Sequence, residues 1–349
     1  MTAPRLIGHA EALGWVRRAI ASDRLAHAYL ITGPRGVGRR TFAIEIAKTL
    51  NCLAPDPEAR PDHTCQACRL IERNIHPDVR VVRRAPERRM IAMRASPASP
   101  QRDYADNVEF IQADAQLRPA IGRKKVYLIL NAEELAPDAA DRLLKTLEEP
   151  PSFVHFLLTA VERGAVQPTI VSRCQEIRLR PVPRAELAAA LVSGGMDADQ
   201  AEQLAALAGG RQGWAVAAAR DPSVLERERA HGEELLAVLA GSRLQRLVRS
   251  RALADRWSAQ PEAVRERLRS WLSWWRDVRL VQLGLVDRLA HLGSDQRAVL
   301  QSVAAQVPPE QAQAAEAQIQ QTLADVDANV NVRLALDLLV LKLPRAQVA

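Results

Sequence analysis

A glycine-rich stretch, GPRGVGRRT at residues 33–41, has the spacing of a phosphate-binding loop. Such a loop requires a glycine, four further residues, a second glycine, a lysine, and then serine or threonine. Gly33 and Gly38 hold the two glycine positions, whereas Arg39 and Arg40 stand where the lysine and the hydroxyl residue belong. Because the lysine contacts nucleotide phosphates and the hydroxyl binds Mg²⁺, the stretch indicates either a variant nucleotide enzyme or one that has lost its chemistry.

The individual substitutions favour the loss of chemistry. Gly36, with the two flanking glycines, still allows backbone N–H groups to surround an anion. Arg39 keeps a positive charge, but a planar guanidinium is bulkier than an ammonium group and does not replace it freely. Arg40 removes the Mg²⁺ ligand and puts a cation in its place. Thr41 lies one position too late on the following helix to substitute for it.

The apolar run KKVYLILNA at residues 124–132 gives an independent indication. Nucleotide hydrolysis in this architecture needs acidic residues at the end of such a strand, where they hold Mg²⁺ and polarise water. Here the strand ends in Leu130-Asn131-Ala132, and the first acid is Glu133. Two parts of the machinery are therefore missing together. We predict a relict phosphate loop and no ATP hydrolysis by this chain; a functioning variant ATPase is the alternative.

Cys52, Cys65 and Cys68 form the pattern C-x12-C-x2-C, which is typical of a zinc site. Structural zinc takes four nitrogen or sulfur ligands in a tetrahedron, so one ligand remains to be identified. The alternative is a decayed site that leaves three buried thiols. Cys174 is expected to be a packed core cysteine.

The elements that would position these residues alternate between strands and helices. Short apolar runs at 28–32, 124–132, 154–160 and 176–182 read as strands, with helical spacing at 39–50 and 136–149. This alternation predicts a doubly wound parallel α/β domain over residues 1–182. An arginine- and proline-rich segment at 83–103 has no periodicity and is predicted to be a flexible insert.

From residue 183 the sequence is helical throughout. An alanine-rich stretch at 183–222 predicts a small helical domain, and longer amphipathic helices at 223–349 predict an all-α domain. Leu336, Leu339, Val340 and Leu343 form a one-sided apolar stripe. Three tryptophans among arginines either stack on single-stranded DNA or anchor a core, and the second reading is the more common. These are Trp271, Trp274 and Trp275.

Composition sets broad limits on function. The 349 residues include 48 basic and 41 acidic side chains, a net charge of +7, which weakly favours a polyanionic neighbour. No apolar run reaches the roughly 18–20 residues of a transmembrane helix, and the N-terminus lacks signal-peptide order. We therefore expect a cytoplasmic protein without a membrane partner. A stand-alone zinc-containing DNA-binding protein is a further alternative.

Five segments in order resemble the AAA+ subunits of the bacterial DNA polymerase III clamp loader: HAYLITGPRGVGRRTFAIEIAKTLNC, IHPDV, LRPAIGRKKVYLI, LLKTLEEPP and TIVSRC. The resemblance covers roughly residues 5–182, and NVNVRLALDLLV and SWLSWWRDV extend it less specifically. The family includes the ATP-hydrolysing tau/gamma subunit and the non-hydrolysing delta-prime subunit. Residues 39–40 and 130–131, together with Gly213 in place of a nucleotide-sensing arginine, imply the delta-prime type.

The resemblance carries further expectations. Arg173, in TIVSRC, is similar to the family's trans-acting arginine finger, which acts in the ATP site of a neighbouring subunit. The expected partners are tau/gamma ATPase subunits and the delta subunit, with the sliding clamp and primer-template DNA reached through the complex. The resemblance also implies that residues 183–222 form the lid and residues 223–349 the oligomerisation collar. The apolar stripe of residues 336–343 would suit packing between subunits in such a collar. By itself the chain is expected to catalyse nothing.

The family's zinc module, placed here at about 52–68, uses four cysteines. Its remaining cysteine aligns with Asp62, and His63 stands beside it. Imidazole is the more common zinc ligand, so the fourth ligand is predicted to be either Asp62 or His63.

Overall fold

The computed structural model of the chain describes residues 6–22, 24–85, 88–94, 105–221, 223–291, 294–327 and 330–347. Two compact units make up the chain. One consists of Met1–Ala190 with Gly210–Trp214, and the other of Leu191–Gly209 with Ala215–Ala349. The three-domain division drawn from the sequence, with boundaries at 182/183 and 222/223, stays a prediction.

A five-stranded parallel sheet with the order β2-β3-β4-β1-β5 forms the centre of the first unit. The strands are β1 (Ala28–Thr32), β2 (Val79–Val82), β3 (Lys125–Ile129), β4 (Val154–Ala160) and β5 (Gln175–Arg178). The predicted parallel α/β architecture is confirmed. Strand β2 was not anticipated from the sequence, because four residues interrupted by Arg80 are too short to show a pattern.

Helices cover both faces of this sheet. They are α1 (Ala10–Ala21), α2 (Arg39–Asn51), α3 (Gln66–Glu72), α4 (Glu109–Asp114), α5 (Pro137–Glu148) and α6 (Pro168–Val171). Alternate residues of β1 belong to different cores: Leu30 packs with the α4 and α5 side, and Ile31 with the α1 and α2 side. All five residues of β1 are buried, as expected for a central parallel strand. The loops at the carboxyl ends of the strands, including residues 33–38, are thereby fixed on a rigid platform.

Part of the segment predicted to be a flexible insert belongs to the core. Ile91 is fully buried, and its backbone N–H donates to the carbonyl of Glu134 at 2.7 Å. The guanidinium of Arg84 also contacts Glu134, with Nε 3.1 Å from the carboxylate. For residues 83–85 and 88–94 the prediction of a flexible insert is therefore corrected, because apolar side chains hidden among the arginines pack inward. Residues 86–87 and 95–103 lie outside the described part of the chain.

The remaining helices follow one another along the chain. They are α7 (Arg184–Ser193), α8 (Ala198–Ala208), α9 (Gln212–Ala218), α10 (Val224–Ala240), α11 (Arg243–Trp257), α12 (Pro261–Gln282), α13 (Ser294–Gln306), α14 (Pro309–Asp327) and α15 (Val332–Lys342). No helix within the described ranges is long and apolar enough to cross a membrane.

The core of the second unit resolves two questions left by its sequence. Trp271, Trp274 and Trp275 are all buried there, so these rings do not offer a stacking surface for DNA. The apolar stripe of α15 is buried in the same core and is not a surface for another subunit, which corrects that expectation. Its opposite face is apolar as well and is exposed at Leu334 and Leu338. Helix α15 therefore carries apolar side chains on two faces, one buried and one exposed.

Candidate functional sites

The phosphate loop retains the backbone shape of a nucleotide site. It runs from the end of β1 to the start of α2, and Gly36 and Gly38 have φ angles of 83° and 105°. Residues with side chains rarely adopt these angles, so the glycines are needed for the turn. Arg40 is exposed at the start of α2. The loop therefore still makes a strand-to-helix turn, although the residues that follow it have changed.

A segment of the chain itself occupies the space against this loop. Gln212 is 4% exposed; its Nε2 donates to the carbonyl of Val37 at 2.9 Å, and its Oε1 accepts from the backbone N–H of Ile7 at 2.7 Å. A β-carbon added to Gly38 would collide with this amide. The backbone N–H of Gly213 donates to the carbonyl of Gly36 at 2.8 Å. Gln212 therefore closes one side of the loop, a role that the sequence analysis did not assign.

Arg39, which replaces the loop lysine, is turned into the protein. Its residue is 8% exposed, and burial lowers the pKa of its guanidinium, although the charges of Glu133 and Glu134 act in the opposite direction. Among the described residues, its Nη1 has no hydrogen-bond partner. The cation at the lysine position is thus buried near acids of the same chain, whose charges offset only part of the effect of burial.

The end of β3 lacks the carboxylates that would hold magnesium. Leu130 is buried in the core, and Asn131 adopts a φ of 56° while its backbone N–H donates to Thr159 Oγ1 at 2.9 Å. Glu133 comes two residues later, and its Oε1 accepts from the N–H of Val161 at 3.3 Å. Its other oxygen, Oε2, is buried and has no hydrogen-bond partner among the described residues, so only one oxygen of this acid is engaged by the protein.

The three predicted zinc cysteines lie together with Asp62. One ligand atom from each of Cys52, Asp62, Cys65 and Cys68 lies within 4.8 Å of the others. The sulfurs of Cys52 and Cys65 are 3.9 Å apart. Tetrahedral zinc with Zn–S bonds of about 2.3 Å requires a sulfur–sulfur separation of about 3.8 Å. The donor set and its spacing therefore fit a zinc ion.

Backbone groups around this cluster favour the ionised form of its ligands. The N–H groups of Ala54 and Asp62 point at Cys52 Sγ, at 3.5 and 3.3 Å. Asp62 Oδ1 accepts from the N–H groups of Cys65 and Thr64, and mainly the Cys65 bond lowers the pKa of this carboxyl well below its usual range. Burial raises the pKa of Cys68, so a thiolate there requires a nearby cation.

His63 lies outside this group. Its Nε2 is 3.5 Å from Glu45 Oε2, on the side of helix α2, and Glu45 also pairs with buried Lys48 at 2.9 Å. Of the two candidates for the fourth ligand, Asp62 has the suitable position. His63 instead joins the loop to α2.

Arg173 follows the short helix α6 and is half-buried. Its Nη1 donates to the carbonyl of Thr169 at 2.8 Å and to Ser172 Oγ at 3.3 Å. Its Nη2 forms an ion pair with Glu148, the last residue of α5. The adjacent Cys174 packs against the core as predicted, and burial raises the pKa of its thiol to about 12.

Comparisons with known proteins agree with these features. The family model described as DNA polymerase III, delta subunit, matches residues 8–183. A subunit delta' from Pseudomonas aeruginosa is 32% identical over 245 residues, which cover 68% of this chain and 67% of that protein. A subunit delta' from Bacillus subtilis is 31% identical over 164 residues, covering 47% of this chain and 45% of that protein.

Subunit tau/gamma from Haemophilus influenzae is 32% identical over 182 residues, covering 52% of this chain and 24% of that protein. The chain thus spans about a quarter of the length of this relative. The family match extends over half of the chain, across the glycine loop, all five strands and Arg173. The chain therefore belongs to the clamp-loader family of DNA polymerase III subunits.

Proposed function

We propose that the chain is the non-hydrolysing, delta-prime type of clamp-loader subunit. It would assemble in the cytoplasm with tau/gamma ATPase subunits and a delta subunit, and help them to load a sliding clamp onto primed DNA. Its lid would be formed by 183–222 and its collar by 223–349. The observation that carries the proposal is the contact between the phosphate loop and Gln212 of the same chain. The side-chain amide of Gln212 donates to the carbonyl of Val37 in the loop and accepts from the backbone N–H of Ile7.

Three features of the loop support the absence of hydrolysis. The amide of Gln212 is bonded to the backbone N–H of Ile7 and the carbonyl of Val37, so this side chain lies buried against the loop. Arg39 is buried near Glu133 and Glu134, so its charge is directed to the protein. The site also lacks two ligands for Mg²⁺. Arg40 stands where the hydroxyl residue is needed, and no acid stands at the end of β3.

An active ATPase of the tau/gamma type is the second candidate, favoured by the similarity to such subunits and by the intact glycine turn. Titration of the isolated chain with MgATP discriminates between the two. We expect no binding at concentrations up to about 1 mM, far above the micromolar affinity of a working site. Micromolar binding with turnover would contradict the proposal, as would failure to co-purify with tau/gamma and delta subunits.

Arg173 is proposed to supply the arginine finger to an adjoining ATPase subunit. Its half-buried position after α6, with the guanidinium already bonded to its own chain, supports such a role. A guanidinium brought in trans stabilises the charge that develops on the transferring phosphoryl group. The chain would thus contribute to catalysis only in a partner's site.

We also propose that Cys52, Cys65, Cys68 and Asp62 hold a structural zinc ion. Zinc would supply no chemistry beyond closing the 52–68 loop, because all four positions of its tetrahedron are taken by protein ligands. The chain's own residues set up the site: Cys52 ends α2, and Cys65 caps α3 by accepting the N–H of Cys68. The module is therefore anchored to the helix that begins at the phosphate loop.

We expect purified chain to contain about one zinc per molecule, and Asp62→Ala to bind zinc far more weakly. Losing a hydrogen-bonding partner near a ligand typically costs 10–100-fold in affinity, and losing a ligand should exceed this. His63→Ala is the matched control and should retain about one zinc. Metal analysis after chelator competition measures both. A loss of zinc in His63→Ala with retention in Asp62→Ala would reverse the assignment.

A further inference from the structure

We propose that Glu148 is a positioning residue for Arg173: it holds the guanidinium in the orientation needed in the neighbouring subunit's ATP site. This inference rests on the proposed function of Arg173 as a finger. The guanidinium of Arg173 has three partners: the carbonyl of Thr169, the hydroxyl of Ser172 and the carboxylate of Glu148. Among the described residues, the carboxylate is its only charged partner.

The restraint leaves part of the guanidinium for a second task. An arginine side chain carries five N–H groups. Nη1 donates to Thr169 and Ser172, and Nη2 donates once to Glu148, so two N–H groups remain. A phosphate group commonly accepts two parallel N–H groups of one arginine. The side chain is thus both fixed and still able to bind phosphate.

The position of Glu148 is unfavourable for its own helix. Carbonyl groups at a helix C-terminus carry partial negative charge, so acids are disfavoured there and bases preferred. Lys145 in the last turn of α5 follows this rule, and Glu148 at its last residue does not. Residues that break a local rule tend to be found at functional sites. The guanidinium of Arg173 offsets the unfavourable charge, which ties the end of α5 to the finger.

The ion pair contributes little to folding stability. The side chain of Glu148 is 51% exposed and that of Arg173 is 32% exposed, and exposed ion pairs are weak because water screens them. We therefore expect removal of this ion pair to change the rate of ATP hydrolysis in the neighbouring subunit's site rather than the stability of this chain. Small displacements of a catalytic group lower the rate strongly, because the reaction requires that group to be held in the correct position relative to the substrate.

The experiment uses the assembled loader and four forms of this chain: wild type, Glu148→Ala, Arg173→Ala and the double variant. We expect Glu148→Ala to lower the kcat for MgATP at the dependent site roughly tenfold without changing KM. In the Arg173→Ala background the same change should have no further effect. Glu148→Gln, whose amide oxygen can still accept from Nη2, should recover part of the loss.

Glu149→Gln is the matched control, because within the described residues this neighbouring acid forms no ion pair with Arg173. It should leave kcat, the thermal midpoint and assembly unchanged. If Glu148→Ala lowers kcat equally in both backgrounds, or not at all while Arg173→Ala lowers it, the positioning role is overturned and the finger stands. If Arg173→Ala itself has no effect, both the inference and the finger assignment fail.

Discussion

Loaders assembled with Arg173→Ala are expected to lose nearly all ATP hydrolysis at the site that this arginine serves. Fingers supplied in trans contribute about 10³–10⁵-fold in rate to nucleotide hydrolases. Arg173 is suited to this because it is half-buried at a bend after α6 and held by its own chain. Folding and assembly should be preserved, since the contacts that disappear are exposed ones.

The measurement is DNA-stimulated ATP hydrolysis by the complete complex, with single-turnover kinetics to resolve individual sites. Total ATP hydrolysis should fall by the fraction that the Arg173-dependent site normally contributes. Clamp loading should fall as well. Arg163→Ala is the control: its side chain is 65% exposed and lies 3.7 Å from Glu176. Equal hydrolysis and loading by wild type and Arg173→Ala would refute the finger assignment.

The sequence predicted those parts of the fold that depend on local patterns. The strand-loop-helix unit around Gly33 and Gly38 was recognisable because glycine spacing and apolar runs are short-range signals. Burial of the tryptophans followed from their spacing on α12. Strand β2 escaped because Val79–Val82 is held by pairing with β3, a long-range contact. A short strand of that kind has no signature of its own.

The site was predictable in its residue types and less so in its contacts. Cys52, Cys65 and Cys68 were evident from spacing alone, but the choice between Asp62 and His63 depended on which side chain faces the sulfurs. Gln212 could not have been found, because its partners lie 175 and 205 residues away. A glutamine between Arg211 and Gly213 gives no hint that it closes a loop.

The buried arginine of the helical unit leads to the second large prediction. Arg246 is 3% exposed and donates to five backbone carbonyls: Leu239, Gly241, Val340, Leu343 and Pro344, at 2.6–3.2 Å. These carbonyls stand where α10 and α15 end, so one cation caps the negative ends of two helices. Burial lowers its pKa, but an arginine remains charged at neutral pH.

Arg246→Ala should therefore destabilise the helical unit by about 3–5 kcal/mol, because several buried carbonyls lose a charged donor together. The loss of stability in Arg246→Lys should be smaller than in Arg246→Ala but still measurable, because an ammonium group has only three donors. Urea unfolding followed by tryptophan fluorescence measures the loss, because four of the six tryptophans lie in this unit. Arg249→Ala, at an exposed position of the same helix, should stay within about 0.5 kcal/mol. Equal midpoints for the two alanine variants would mean that the carbonyls find other donors, and that the double cap does not hold α10 and α15 together.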